Sequence, residues 1–115
     1  MQFDRFSISL LMKPPDSREV DRETREALQD AHLSFLADLH AAGHLLAAGP
    51  LGNETYRGLS ILSVGPEETR ELKEPDPLVR AGIYSIEVMP WMVPAGAVSF
   101  SPTRFPRSAA EADAD

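Results

Sequence analysis

The stretch VDRETREALQDAHLSFLADLHAAGHLLAAGP, residues 20–50, decides how the rest of the chain is read. From Val20 to Ala42 apolar residues recur at helical spacing, with Leu28, Phe35, Leu36 and Leu39 on one stripe, so a long amphipathic helix is predicted. Gly43 ends it, since glycine takes the left-handed backbone that stops helices. His44 to Pro50 is short, apolar and closed by Gly49-Pro50, which reads as a strand. His32 lies on the apolar stripe, four residues after Leu28 and three before Phe35. An imidazole there loses water on most sides, and a ring nitrogen then needs a partner from elsewhere in the fold.

Working outward, Phe3 to Met12 alternates and is broken by Lys13-Pro14-Pro15-Asp16, giving a strand and then a loop. Tyr56 to Val64 also alternates and follows the turn cluster Leu51-Gly52-Asn53-Glu54, so it pairs with the 44–50 strand as a hairpin. Gly65-Pro66-Glu67-Glu68 has proline at the opening and acids in the first turn, predicting a brief helix to about Lys73, stopped by Pro75. Asp76 to Gly82 reads as one more helical turn, and Ile83 to Met89 as the last strand. The order βαββαβ is the split βαβ plan of ferredoxin-like α+β proteins: one antiparallel sheet with both helices on one face. Phe6, Ile8, Leu10, Tyr84, Ile86 and Val88 are expected under the helices. Ser7, Ser9, Leu11, Ser85, Glu87 and Met89 are expected on the open face. A partly apolar open face on so small a domain suits a second copy of the chain, and a homodimer is expected.

A chain of 115 residues supports one domain, placed here at residues 1–91, with 92–115 as a C-terminal extension rich in proline and expected to end without order. The formal charge of −7 repels phosphate backbones and anionic lipid, so no nucleic acid partner is expected. Without cysteine there is no disulfide, thiolate nucleophile or cysteine-bound metal. No stretch has the roughly 20 apolar residues that would span a bilayer, so no membrane partner is expected. The first residues carry no basic region followed by an apolar one, and a cytoplasmic location is the expectation.

Asp76, just before Pro77, is the candidate partner for His32. Aspartate followed by proline is an ordinary N-cap and first-turn pair. The two roles are compatible, because one carboxylate oxygen can cap the Leu78 or Val79 amide while the other holds the imidazole. His40 and His44 read as surface or helix-end residues, and no metal set follows from them. Arg80 could meet an anionic substrate, and Tyr84 and Trp91 could line a cavity or simply pack. No phosphate-binding glycine loop and no serine nucleophile elbow is present, so no cofactor is implied.

Several segments in order resemble the YCII-like family: Ala31-His32-Leu33 with Phe35-Leu36, Gly43 to Leu51, Glu67 to Arg70, Asp76 to Gly82, and Val88-Met89-Pro90-Trp91. The resemblance implies the dimeric α/β barrel form of the ferredoxin-like fold, and a paired His and Asp in a cavity, here His32 and Asp76. It also implies kinship with small enzymes such as dehydrochlorinases of chlorinated hydroxyhydroquinones and muconolactone isomerases. Two functions follow from the pair. One is a cofactor-independent lyase or isomerase in which His32, oriented by Asp76, moves a proton beside a carbonyl of a small molecule. The other is a non-catalytic binder or accessory protein that keeps the pocket and turns nothing over.

Overall fold

The computed structural model describes residues 1–114. Its elements are β1 (Phe3–Met12), α1 (Arg22–Ala41), β2 (Leu45–Pro50), β3 (Tyr56–Leu62), α2 (Pro66–Lys73), α3 (Pro77–Arg80), β4 (Ser85–Pro94) and α4 (Ala109–Asp113). The four strands form one antiparallel sheet in the order β2-β3-β1-β4, the ferredoxin-like arrangement. The first helix starts at Arg22 because Asp21 is its N-cap, accepting from the Thr24 amide at 2.7 Å. It ends at Gly43, whose φ of 86° only glycine takes freely. Between β2 and β3, Asn53 Oδ1 accepts from the Thr55 and Tyr56 amides and fixes the hairpin turn.

Leu36 of α1 packs on Leu45 of β2 and Leu62 of β3, with Phe35 and Leu39 beside them. That cluster fixes α1 over the β2–β3 half of the sheet. The second helix covers the β1–β4 half.

The face of β1 is the reverse of the expectation. Ser7, Ser9 and Leu11 lie under the helices, each at most 6% exposed, and the intervening Phe6, Ile8 and Leu10 point to the open side. Register confirms the assignment, since Leu11 opposes Ile86 and Ser9 opposes Val88 on the covered face, while Ile8 opposes Met89 and Phe6 opposes Trp91 on the other. The covered layer is polar for a reason. Ser7 Oγ donates to the Val64 carbonyl at 2.7 Å, and Ser60, directly across from Ser9, accepts from Lys73 of α2. Of the two serines of β1 only Ser7 is hydrogen-bonded there, Ser9 Oγ having no partner among the described residues, and the larger apolar set was left outward.

The last strand also runs further than Met89, to Pro94. Pro90 does not end it because β4 is an edge strand with a neighbour on one side only. Beyond it, where the composition predicts an end without order, the chain meets β1 at Phe6 on the open face and then, from Thr103 on, lies against α1. Phe100 stands edge-on to Phe6, Phe105 stacks on His40 at 4.1 Å, Arg107 reaches Asp38 at 2.9 Å, and the Ala109 amide donates to Asp30 at 2.8 Å. Ser108 caps α4 through the Glu111 amide.

Candidate active site

Helix α1 brings His32 inward at 7% exposure, and α3 brings Asp76 to meet it. Asp76 is fully buried and divides its carboxylate as the sequence suggested. Oδ1 accepts from the Leu78 amide at 2.9 Å, which starts α3, and Oδ2 accepts from His32 Nδ1 at 2.7 Å. With Nδ1 donating, the neutral ring carries its lone pair on Nε2, and among the described residues Nε2 has no hydrogen-bond partner. The ring forms part of the wall of a cavity of about 490 Å³, within the usual range for small-ligand sites.

Leu11, Leu36 and Leu78 supply apolar walls, and Ser60 joins His32 as a polar group. Arg25 and Tyr84 also line it, the guanidinium donating to Tyr84 Oη at 3.0 Å and lying 5.5 Å from the ring centre. The C-terminal segment contributes Phe105, Pro106 and Ala109, so part of the cavity wall comes from residues after Trp91. His40 holds that segment: Nδ1 is 2.8 Å from the Leu45 carbonyl oxygen and Nε2 is 2.9 Å from that of Thr103.

Tyr84 therefore lines the cavity as one of its two readings had it. Trp91 packs instead on Phe6 with ring centres 5.9 Å apart on the open face. Arg80, weighed for an anionic substrate, does not line the cavity, whereas Arg25 and Arg57 do.

Lys73 escaped sequence reading. It is 0% exposed, and its Nζ donates to Ser60 Oγ at 3.2 Å. Burial pulls the ammonium down to about 8, against an opposing pull from the Asp76 carboxylate. The inward residues of α2 are Thr69 and Lys73, at i and i+4. A lysine on the same stripe as a buried threonine is the signal that was there, masked because Leu72 is the helix's only large apolar residue.

The architecture and the pair together define a class: a ferredoxin-like α+β protein with a buried histidine–carboxylate pair at the wall of a cavity. Within that class the chain belongs to the YCII-related domain family, whose family model matches residues 8–92. The match takes in His32, Ser60, Lys73 and Asp76 and stops before the C-terminal segment that lines part of the cavity. No curated protein matches the chain. No helix is long and apolar enough to cross a membrane.

Proposed function

We propose that this protein is a cofactor-independent acid–base enzyme of the lyase or isomerase type, acting on a small carbonyl-bearing molecule. His32 is the general base and acid, and Asp76 orients it. One observation carries the reading: an imidazole with Nδ1 held at 2.7 Å by a wholly buried carboxylate and Nε2 without a protein partner, at the edge of a largely apolar cavity. In the reaction Nε2 takes the proton from carbon beside the carbonyl, and the C–H electron pair passes into the carbonyl to leave an enolate. Return of the proton elsewhere gives isomerisation, and loss of a group from the adjacent carbon gives elimination. Asp76 keeps the lone pair on Nε2 and stabilises the imidazolium formed.

The active unit is proposed to be a homodimer joined through the open sheet face. Phe6, Ile8, Leu10 and Leu59 lie there with Met89 and Trp91, a more apolar set than a wetted sheet face carries.

The test does not need the physiological substrate. Small cyclic ketones and lactones are incubated with the protein in deuterated water, and loss of the α-proton signal is followed by NMR. Exchange is expected with some member of the panel and is expected to vanish in His32→Gln. Exchange that survives unchanged in that variant removes His32 from the chemistry, and saturable binding without exchange moves the protein to the non-catalytic binder reading.

A further inference from the structure

Lysine is almost never fully buried unless paired, and although the Asp76 carboxylate acts on Lys73 through space, the ammonium makes no hydrogen bond to it. The Lys73 ammonium has three N–H groups and, among the described residues, one hydrogen-bond acceptor, Ser60 Oγ; the Phe35 ring centre is 5.9 Å away. Methionine would fill the same space without desolvating a cation, so packing does not explain the residue. Ser60 does face something: it is 5% exposed and lines the cavity that His32 lines.

A hydroxyl has one proton to donate and two lone pairs to offer. With a lysine N–H directed at its oxygen, what Ser60 presents to the cavity is its proton, polarised by the cation behind it. Ser9 Oγ, opposite Ser60 in the β1–β3 register, is buried without a hydrogen-bond partner, so it does not take that proton.

We propose that Ser60, backed by Lys73, is an oxyanion-binding donor of this cavity, and that the cavity takes small apolar-bodied molecules carrying an ionised or enolisable oxygen. The inference rests on the reading of His32 as base and extends it. When the α-proton moves to Nε2, charge develops on the former carbonyl oxygen, and a preorganised donor in a largely apolar cavity stabilises it there. Ser60 touches the ligand. Lys73 acts through Ser60 and is a positioning residue.

The probes are para-nitrophenol, whose anion is distinguished from the neutral phenol by its visible absorption, and nitrobenzene, a neutral molecule of similar shape. Wild-type protein is expected to bind both and to favour the phenolate over the phenol. Ser60→Ala and Lys73→Met are each expected to weaken phenolate binding about tenfold or more while leaving nitrobenzene binding unchanged. The double variant is expected to lose no more than either single one, because the lysine works through the serine. Nitrobenzene binding also reports that a variant has folded, and if Lys73→Met does not fold, Ser60→Ala decides. Phenolate affinity unaltered by the variants, with nitrobenzene still bound, overturns the oxyanion donor and leaves the cavity and His32 standing. Failure of wild-type protein to bind either probe removes the ligand cavity itself, and the donor with it.

Discussion

Asp76 and His32 stand 44 positions apart in the chain and meet at 2.7 Å, with the carboxylate wholly closed to water. A carboxylate taken out of water is costly unless its oxygens are satisfied, and both are: one by the imidazole, one by the first amide donor of α3. The pair thus ties α1 to the turn before β4 and fixes the tautomer of the ring at the same time.

That division of labour gives a ranked expectation. Asp76→Asn keeps an oxygen able to accept from the Leu78 amide but turns its NH2, a donor, toward His32, so the ring either loses its Nδ1 partner or shifts its proton to Nε2, at about 2 kcal/mol. Asp76→Ala loses the cap and leaves a buried imidazole N–H without an acceptor, at about 3 kcal/mol. Urea unfolding at neutral pH measures both, and equal losses would mean that the cap contributes nothing.

Lys73 predicts a pH dependence with a definite sign. Its value is about 8 in the folded protein against an ordinary 10.5, a gap equivalent to about 3 kcal/mol. At neutral pH both states hold the proton and the cost of burying the ammonium is present in full. As pH rises through about 8 the folded protein releases the proton that the unfolded chain still binds, so stability increases until about 10.5. Lys73→Met removes this component. Its advantage over wild type is therefore expected to be larger at about pH 7 than at about pH 10. Parallel stability curves for the two proteins, measured by urea unfolding across that window, would contradict the assignment.

The C-terminal segment is predicted to be the least stable part of the cavity wall. Its hold on α1 depends on the Phe105 stack with His40 and on surface pairs such as Arg107 with Asp38, which contribute little individually. Phe105→Ala is expected to cost about 1 kcal/mol and to leave the α4 amides exchanging at the rate of an unstructured peptide while β1 amides stay protected. Hydrogen exchange read by mass spectrometry checks this, and unchanged protection of α4 would assign its order to other contacts.

The proposed homodimer is testable through the open sheet face, away from His32 and Asp76. Leu10→Lys places an ammonium in the middle of the Ile8–Leu59 surface; if the proposed homodimer forms through it, wild type sediments as a dimer and the variant as a monomer, and a monomeric wild type in sedimentation velocity would overturn the proposal. The His32 cavity lies within one chain, so nitrobenzene binding is expected to survive in the monomer.

Much of this was legible beforehand. The spacing of Leu28, Phe35, Leu36 and Leu39 fixes the helix, Gly43 and Pro75 punctuate it and its successor, and the proline after Asp76 starts α3. An imidazole on an apolar stripe announces a partner, and Asp76 supplies it. Alternation could not say which side of β1 faces the helices, because the apolar set Phe6, Ile8 and Leu10 outweighs Ser7 and Ser9 by hydropathy alone. Nor could composition place the C-terminal segment against α1, since Phe105 gains a partner only once His40 is presented at the helix surface.

Local pattern, then, determined the order and type of the elements and marked His32 as out of place, because backbone periodicity and capping act over a few residues. Tertiary structure decided the face of β1, the burial of Lys73 against Ser60 and the lining of one cavity wall by the C-terminal segment. Each of those is a hydrogen bond or contact between segments far apart in the chain, and its energy exists only when the sheet register has brought the two together.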